Sequence, residues 1–186
     1  PSPVRPPAHE VAREREDGPA AQQPSAFFRG GAAFRSGDFS GAIQMLGAAD
    51  LANLTAARRD SAVLMTIESY HRLGAINEGL VYGTENPVHD AKYFLLMALL
   101  FDVAGMREQA ETHFSRAITA PLVYDRTIGP RVWLFRARFY QRAFDRDRTD
   151  RRRDRMIEAW KDFLEHGCAL ESPECEDARR IVDGVN

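Results

Sequence analysis

The densest chemistry in the sequence lies at residues 143–156, AFDRDRTDRRRDRM, where six Arg and four Asp crowd together. Such a run can grip a phosphate backbone, dock an acidic protein surface, or pair with itself in water. A nucleic-acid patch needs basic residues set apart from acids, with aromatics among them to stack bases. Here Arg alternates with Asp, and no aromatic residue stands among the charges. The expectation is a solvated, self-paired loop, with Arg148, Arg151, Arg152 and Arg153 as a secondary surface. Docking of an acidic protein is the second reading, and nucleic acid is not expected.

Other reactive residue types form no constellation. Cys168 and Cys175 are the only cysteines and stand seven residues apart. They are read either as a local disulfide of an oxidising compartment or as two free thiols. Only His166 lies near them, and the paired spacing of a metal site is absent. His9, His71, His89, His113 and His166 share no ligand spacing, and His113 is expected on a surface face. There is no phosphate-cradling glycine motif, no His-Glu-x-x-His and no nucleophile elbow. RSGDFSGA sets serines beside glycines but reads as a turn. No enzyme activity, cofactor or metal is expected.

Bulk properties narrow the class further. The chain has 186 residues, 44% of them hydrophobic and 28% charged, as in a folded globular protein. A net charge of −2 provides no global field to draw nucleic acid or an anionic membrane. Only Lys92 and Lys161 are lysine among 25 basic residues. The longest apolar run, YFLLMALLF at 93–101, is too short to span a bilayer and ends at Asp102, which suits a buried core helix.

Residues 1–24 hold six of the ten prolines and no Phe, Trp or Tyr. Such a stretch buries too little apolar surface to offset chain entropy, and a flexible linker is expected. It is read as a spacer from a membrane anchor, which would then precede Pro1, or as a plain disordered terminus. Residues 25–186 form the folded domain.

From Ser25 onward the apolar spacing is helical throughout, and the pattern repeats. FFRGGAAFRSGDFSGAIQMLGAAD aligns with FLLMALLFDVAGMREQAETHFSRAI. Around each turn glycine, Gly37 or Gly105, small residues stand seven before (Gly30, Ala98) and five after (Ala42, Ala110). Nine after comes a large apolar residue, Leu46 or Phe114, and twelve after comes Ala49 or Ala117. Small residues let two antiparallel helices approach, the large one fills the gap to the next helix, and glycine supplies the left-handed end of the first helix.

These residues resemble the tetratricopeptide repeat family, built of helix–turn–helix units of about 34 residues. The third unit matches best, through Phe94, Ala98, Phe101, Gly105, Ala110, Phe114, Ala117 and Pro121. The second, VLMTIESYHRLGAINEGLVYG, keeps Tyr70, Gly74 and Gly79. It departs in carrying Ile67 at the small position and a short second helix broken by glycine. In a fourth unit Trp133, Ala137 and Tyr140 stand at the offsets of Phe94, Ala98 and Phe101, while Ala159 and Phe163 are spaced like Ala110 and Phe114. The small residues across its turn are 22 apart instead of 12, so the Arg/Asp run is a ten-residue insertion, which can also extend the flanking helices in part through Asp and Arg paired three or four apart. The resemblance covers residues 25–167. It implies an all-α, right-handed superhelix of about four hairpins, and ESPECEDARRIVDGVN supplies a C-terminal capping helix.

The resemblance further implies that the inner faces of the first helices line a groove for a peptide or helix of another protein. Its positions lie ten, six and three residues before each turn glycine: Phe27, Gly31 and Phe34; Leu64, Glu68 and His71; Leu95, Leu99 and Asp102. The fourth unit adds Leu134, Arg138 and Gln141. The opposing reading makes Leu95 and Leu99 plain core, since the third unit's first helix is apolar nearly all round. The expected function is a non-enzymatic adaptor that helps assemble or tether a complex. The alternative is a small-ligand or lipid-binding accessory protein with a cavity at Leu64, Leu95 and Leu99. The Pro-rich leader and small size resemble, in style, bacterial envelope proteins tethered as lipoproteins; the envelope is the expected compartment and the cytoplasm the alternative.

Overall fold

Glycine stands where three helices must stop. In the computed structural model, which describes residues 25–121, 125–168 and 172–184, Gly37, Gly74 and Gly105 take φ of 83°, 72° and 75°. Their left-handed backbone lets Asp38 N–H and Ala75 N–H close back on Ala33 and Tyr70 carbonyls, satisfying the helix ends. The starts are capped as firmly: the side chains of Asp38, Thr55, Asp90 and Ser172 accept from the backbone N–H of Gly41, Arg58, Tyr93 and Cys175.

The described residues form nine α-helices and no strand: α1 (Ala26–Ser36), α2 (Phe39–Gly47), α3 (Ala56–Leu73), α4 (Ile76–Glu85), α5 (Ala91–Val103), α6 (Arg107–Thr119), α7 (Gly129–Arg146), α8 (Asp150–His166) and α9 (Pro173–Asp183). Consecutive pairs are antiparallel hairpins, and α9 lies on α8. The backbones of the first helices α1, α3, α5 and α7 approach one another in order, whereas those of α2, α4, α6 and α8 stay apart. The array therefore bends with the first helices on its inner side. The leader expected at residues 1–24 lies outside the described residues.

The apolar interior runs through three joined layers. Ala42, Leu46 and Ala62 form the first, Ile67, Leu96, Met97 and Leu100 the second, and Leu95, Phe114, Trp133, Phe139, Trp160 and Phe163 belong to the third. Each hairpin touches only its neighbours in sequence, as in a repeat array. Small residues close each hairpin: a Cβ on Gly30 would meet Leu46 Cγ at 2.6 Å. Helix α4 runs unbroken through Gly79 and Gly83, where interruption was expected.

Apart from a three-residue turn the Arg/Asp run is helix, which corrects the expected loop and carries the extension of the flanking helices through the whole insertion. With Trp133 set on Phe94, Arg142 is the counterpart of Val103, yet α7 continues four residues further to Arg146. With Ala159 set on Ala110, Met156 is the counterpart of Arg107, yet α8 begins six residues earlier at Asp150. The turn between them, Asp147–Thr149, is as short as Ala104–Met106 in the third hairpin. All ten inserted residues thus lengthen the paired helices, and they project as a spur of about 6–9 Å at 1.5 Å per residue. Arg and Asp spaced along a helix pair favourably, so the charges support helix and need no loop.

Candidate functional site

On the inner side α3, α5 and α7 bring charges together across three hairpins. Glu68 of α3 is 6% exposed. Its carboxylate accepts from Lys92 Nζ of α5 at 2.9 Å and faces Arg72 Nη2 at 3.4 Å. Burial alone would raise its pKa, but Lys92, Arg131 of α7 and Arg72 together hold it below the ordinary carboxylate value. His71 lies in the same field: burial, with Arg72 and Arg131, lowers its pKa, and Glu68 opposes them. Both groups sit at expected inner positions, whereas Lys92 and Arg131 were not singled out. The available signal was register, because each stands three residues before the expected apolar position, Leu95 or Leu134.

The other inner positions divide by exposure. Phe27 and Phe34 are half-buried against the first core layer, and buried Gly31 faces Met65 of α3. Leu95 and Leu99 are 1% and 8% exposed and belong to the core. Leu64 and Leu134 are half-buried at core edges, and His71 is half-buried with them along the face. Asp102 pairs with Arg142 of α7. Arg138 is exposed and reaches Glu174 of α9 at 3.9 Å. Gln141 accepts from the Trp160 indole at 3.1 Å and donates to Asp145 at 3.0 Å, so it braces α7 on α8.

The secondary surface is partly self-paired. Arg152 binds Asp147 at 2.8 Å, and Arg153 lies 3.4 Å from Asp150 and 3.7 Å from Asp154. Arg155, half-buried, reaches back to Glu111 of α6 at 2.7 Å, and Tyr140 donates to the same carboxylate at 3.1 Å. Arg148 and Arg151 are exposed and have no ion pair among the described residues. His113, expected on a surface face, is half-buried beside Phe101, with ring centroids 4.9 Å apart, and its Nδ1 lies 2.8 Å from the Gln109 carbonyl oxygen.

The cysteines are joined: Cys168, just past α8, forms a disulfide with Cys175 in the first turn of α9, with Cα atoms 5.8 Å apart. Among the described residues no group of His, Cys, Asp or Glu has the arrangement to hold a metal ion. No described helix is long and apolar enough to cross a membrane.

No family model matches the chain, and no curated protein matches it. Among solved structures, the crystal structure of MamA protein is similar over 84% of this chain and 76% of that one, at 18% identity and a TM-score of 0.61. At that identity the likeness carries the fold alone: an all-α, tetratricopeptide-like helical repeat.

Proposed function

We propose that the protein is a non-enzymatic adaptor that binds a segment of another protein along the inner side of its first helices. One observation carries the reading. At the expected inner positions of α3 and α7, Leu64, His71 and Leu134 are half-buried and Arg138 is exposed, so both apolar and polar surface remains accessible there. Apolar anchors supply affinity and a few polar groups set register, which suits an amphipathic segment. Leu95 and Leu99 fill the core and contribute little surface. Their packing favours this reading over the small-ligand one, which needs them to line a cavity. The Cys168–Cys175 disulfide suits an oxidising compartment and so favours the envelope over the cytoplasm.

The test is a crosslinking pull-down from the native cell extract with wild type and with His71→Ala plus Arg138→Glu. Both positions are accessible, and circular dichroism checks that each protein is folded. A partner captured by wild type and lost with the variant supports the reading. If the folded variant keeps every partner, the inner face is not the site. If folded wild type captures none, the adaptor reading falls.

A further inference from the structure

The ten-residue extension of the fourth hairpin has no counterpart in the third, which it otherwise matches in register. Where α7 overshoots the turn of α5 and α6, a notch of about 50 Å³ opens, lined by Asp102, Gly105, Arg107, Phe139, Arg142, Ala143 and Arg146. Three of these are arginines and one is an aspartate. Asp102 is already engaged by Arg142, while Arg107 and Arg146 have no carboxylate within ion-pair distance among the described residues. Arg107 is half-buried, with its guanidinium 5.7 Å from the centroid of the Phe139 ring. Arg152, also half-buried, adds a fourth guanidinium, held by Asp147 and the Ala143 carbonyl oxygen.

We infer that this notch receives a carboxylate from an acidic segment of a partner protein, with the exposed Arg148 and Arg151 of the spur guiding its approach. Charge complementarity is the warrant. The chain as a whole is at −2, yet three arginines line the notch against the one carboxylate of Asp102. Burial and the nearby Arg152 and Arg146 lower the pKa of Arg107 against the opposing pull of Glu111 and Asp102, and an incoming carboxylate adds to that pull. Guanidinium groups suit the guest, since their planar donors match a carboxylate in a bidentate fork. The volume admits a carboxylate head, at roughly 30 Å³ for each water it displaces. A polyanionic track fits poorly, because Asp145, Asp147, Asp150 and Asp154 interrupt the basic surface. The inference rests on the protein-binding reading for the class of partner, and places the acidic contact at the spur.

The probe is a short fluorescent peptide of alternating Glu and Ala, with a Gln-for-Glu version as control, followed by anisotropy at low and raised salt. Wild type should bind the acidic peptide and not the control, more weakly as salt rises. Arg142→Gln with Arg146→Gln should weaken binding about tenfold, as loss of charge-assisted contacts predicts. Asp102→Asn should tighten it, a gain that misfolding cannot mimic. Arg58→Gln with Arg59→Gln, on the exposed start of α3, removes equal charge elsewhere and should change little. Equal loss in that control overturns the site, as does no binding by any folded protein. So does preference for duplex DNA, or for phosphatidylserine vesicles, that depends on Arg142 and Arg146. If peptide binding is lost only with His71→Ala plus Arg138→Glu, the adaptor reading stands and the notch does not.

Discussion

Ile67 and Gly83 form a size-swapped pair. In the other hairpins the first helix supplies the small partner and the second the large one: Gly30 with Leu46, Ala98 with Phe114, Ala137 with Phe163. In the second hairpin Ile67 stands at the small position and Gly83 at the large one. A Cβ on Gly83 would lie 3.4 Å from Ile67 Cδ1 and would collide with Met97 Sδ. The departure from the repeat pattern is therefore compensated by Ile67 of the same hairpin together with Met97 of α5.

This pairing predicts non-additive stability changes. Gly83→Leu should destabilise by about 1–3 kcal/mol through overpacking, and Ile67→Ala by about 2–5 kcal/mol through a cavity. The double variant should lose clearly less than the sum, because the new leucine enters the space that the isoleucine leaves. Urea unfolding of the four proteins measures the coupling. Additive losses would show that the two residues are independent.

The Glu68 cluster predicts a defined pH dependence. Its folded pKa is lowered, so its stabilisation is present above the unfolded value of about 4.3 and is lost as pH falls through the lower folded value. Glu68→Gln should cost about 1–3 kcal/mol at neutral pH, with the gap to wild type closing in acid. The His71 pKa is also lowered, so its contribution has the same sign in a higher window, and stability falls as pH drops below about 6.5. In the Glu68→Gln protein the His71 pKa should fall further, since Glu68 was the group opposing its decrease. An NMR titration of the imidazole reads this directly, and an upward shift would contradict the described arrangement.

The disulfide predicts a local effect of reduction. By the chain-entropy model, closing so short a loop contributes about 2 kcal/mol. Dithiothreitol, or Cys168→Ser with Cys175→Ser, should therefore loosen α9 and leave the first two hairpins intact, because α9 packs on α8 and reaches α7 through Arg138 and Glu174, both helices of the fourth hairpin. Amide exchange should accelerate at 173–183 and remain unchanged in α3. Uniform acceleration throughout the chain would mean that α9 and the array unfold together.

Two tryptophans of similar burial should respond differently. The Trp133 Nε1–H is buried without an acceptor among the described residues, while Trp160 donates to Gln141 at 3.1 Å. Both changes to phenylalanine lose volume, but only Trp160→Phe breaks a hydrogen bond. Trp133→Phe should be milder by about 1 kcal/mol. Thermal unfolding of the pair decides it, and a larger loss at Trp133 would point to an acceptor that the structure does not contain.

Local chemistry made the array legible from sequence. Gly37, Gly74 and Gly105 mark turns because only glycine takes positive φ without strain. The small and large residues at fixed offsets from them specify how two adjacent helices meet, a short-range matter. The Arg/Asp run was ambiguous for the same reason: without a turn glycine, its charges are equally consistent with a loop and with paired helix ends. Only packing of α7 on α8, with Ala143 and Met156 buried at the base of the extension, decided for helix. Tertiary structure also decided which inner positions are surface. Leu95 and Leu99 have the same register as Leu134 and Arg138, but α5 lies between α3 and α7 and is covered from both sides. Glu68 likewise acquires Lys92 and Arg131 from later hairpins. A helical period records which residues share a face, and cannot record what the curvature of the array places opposite that face.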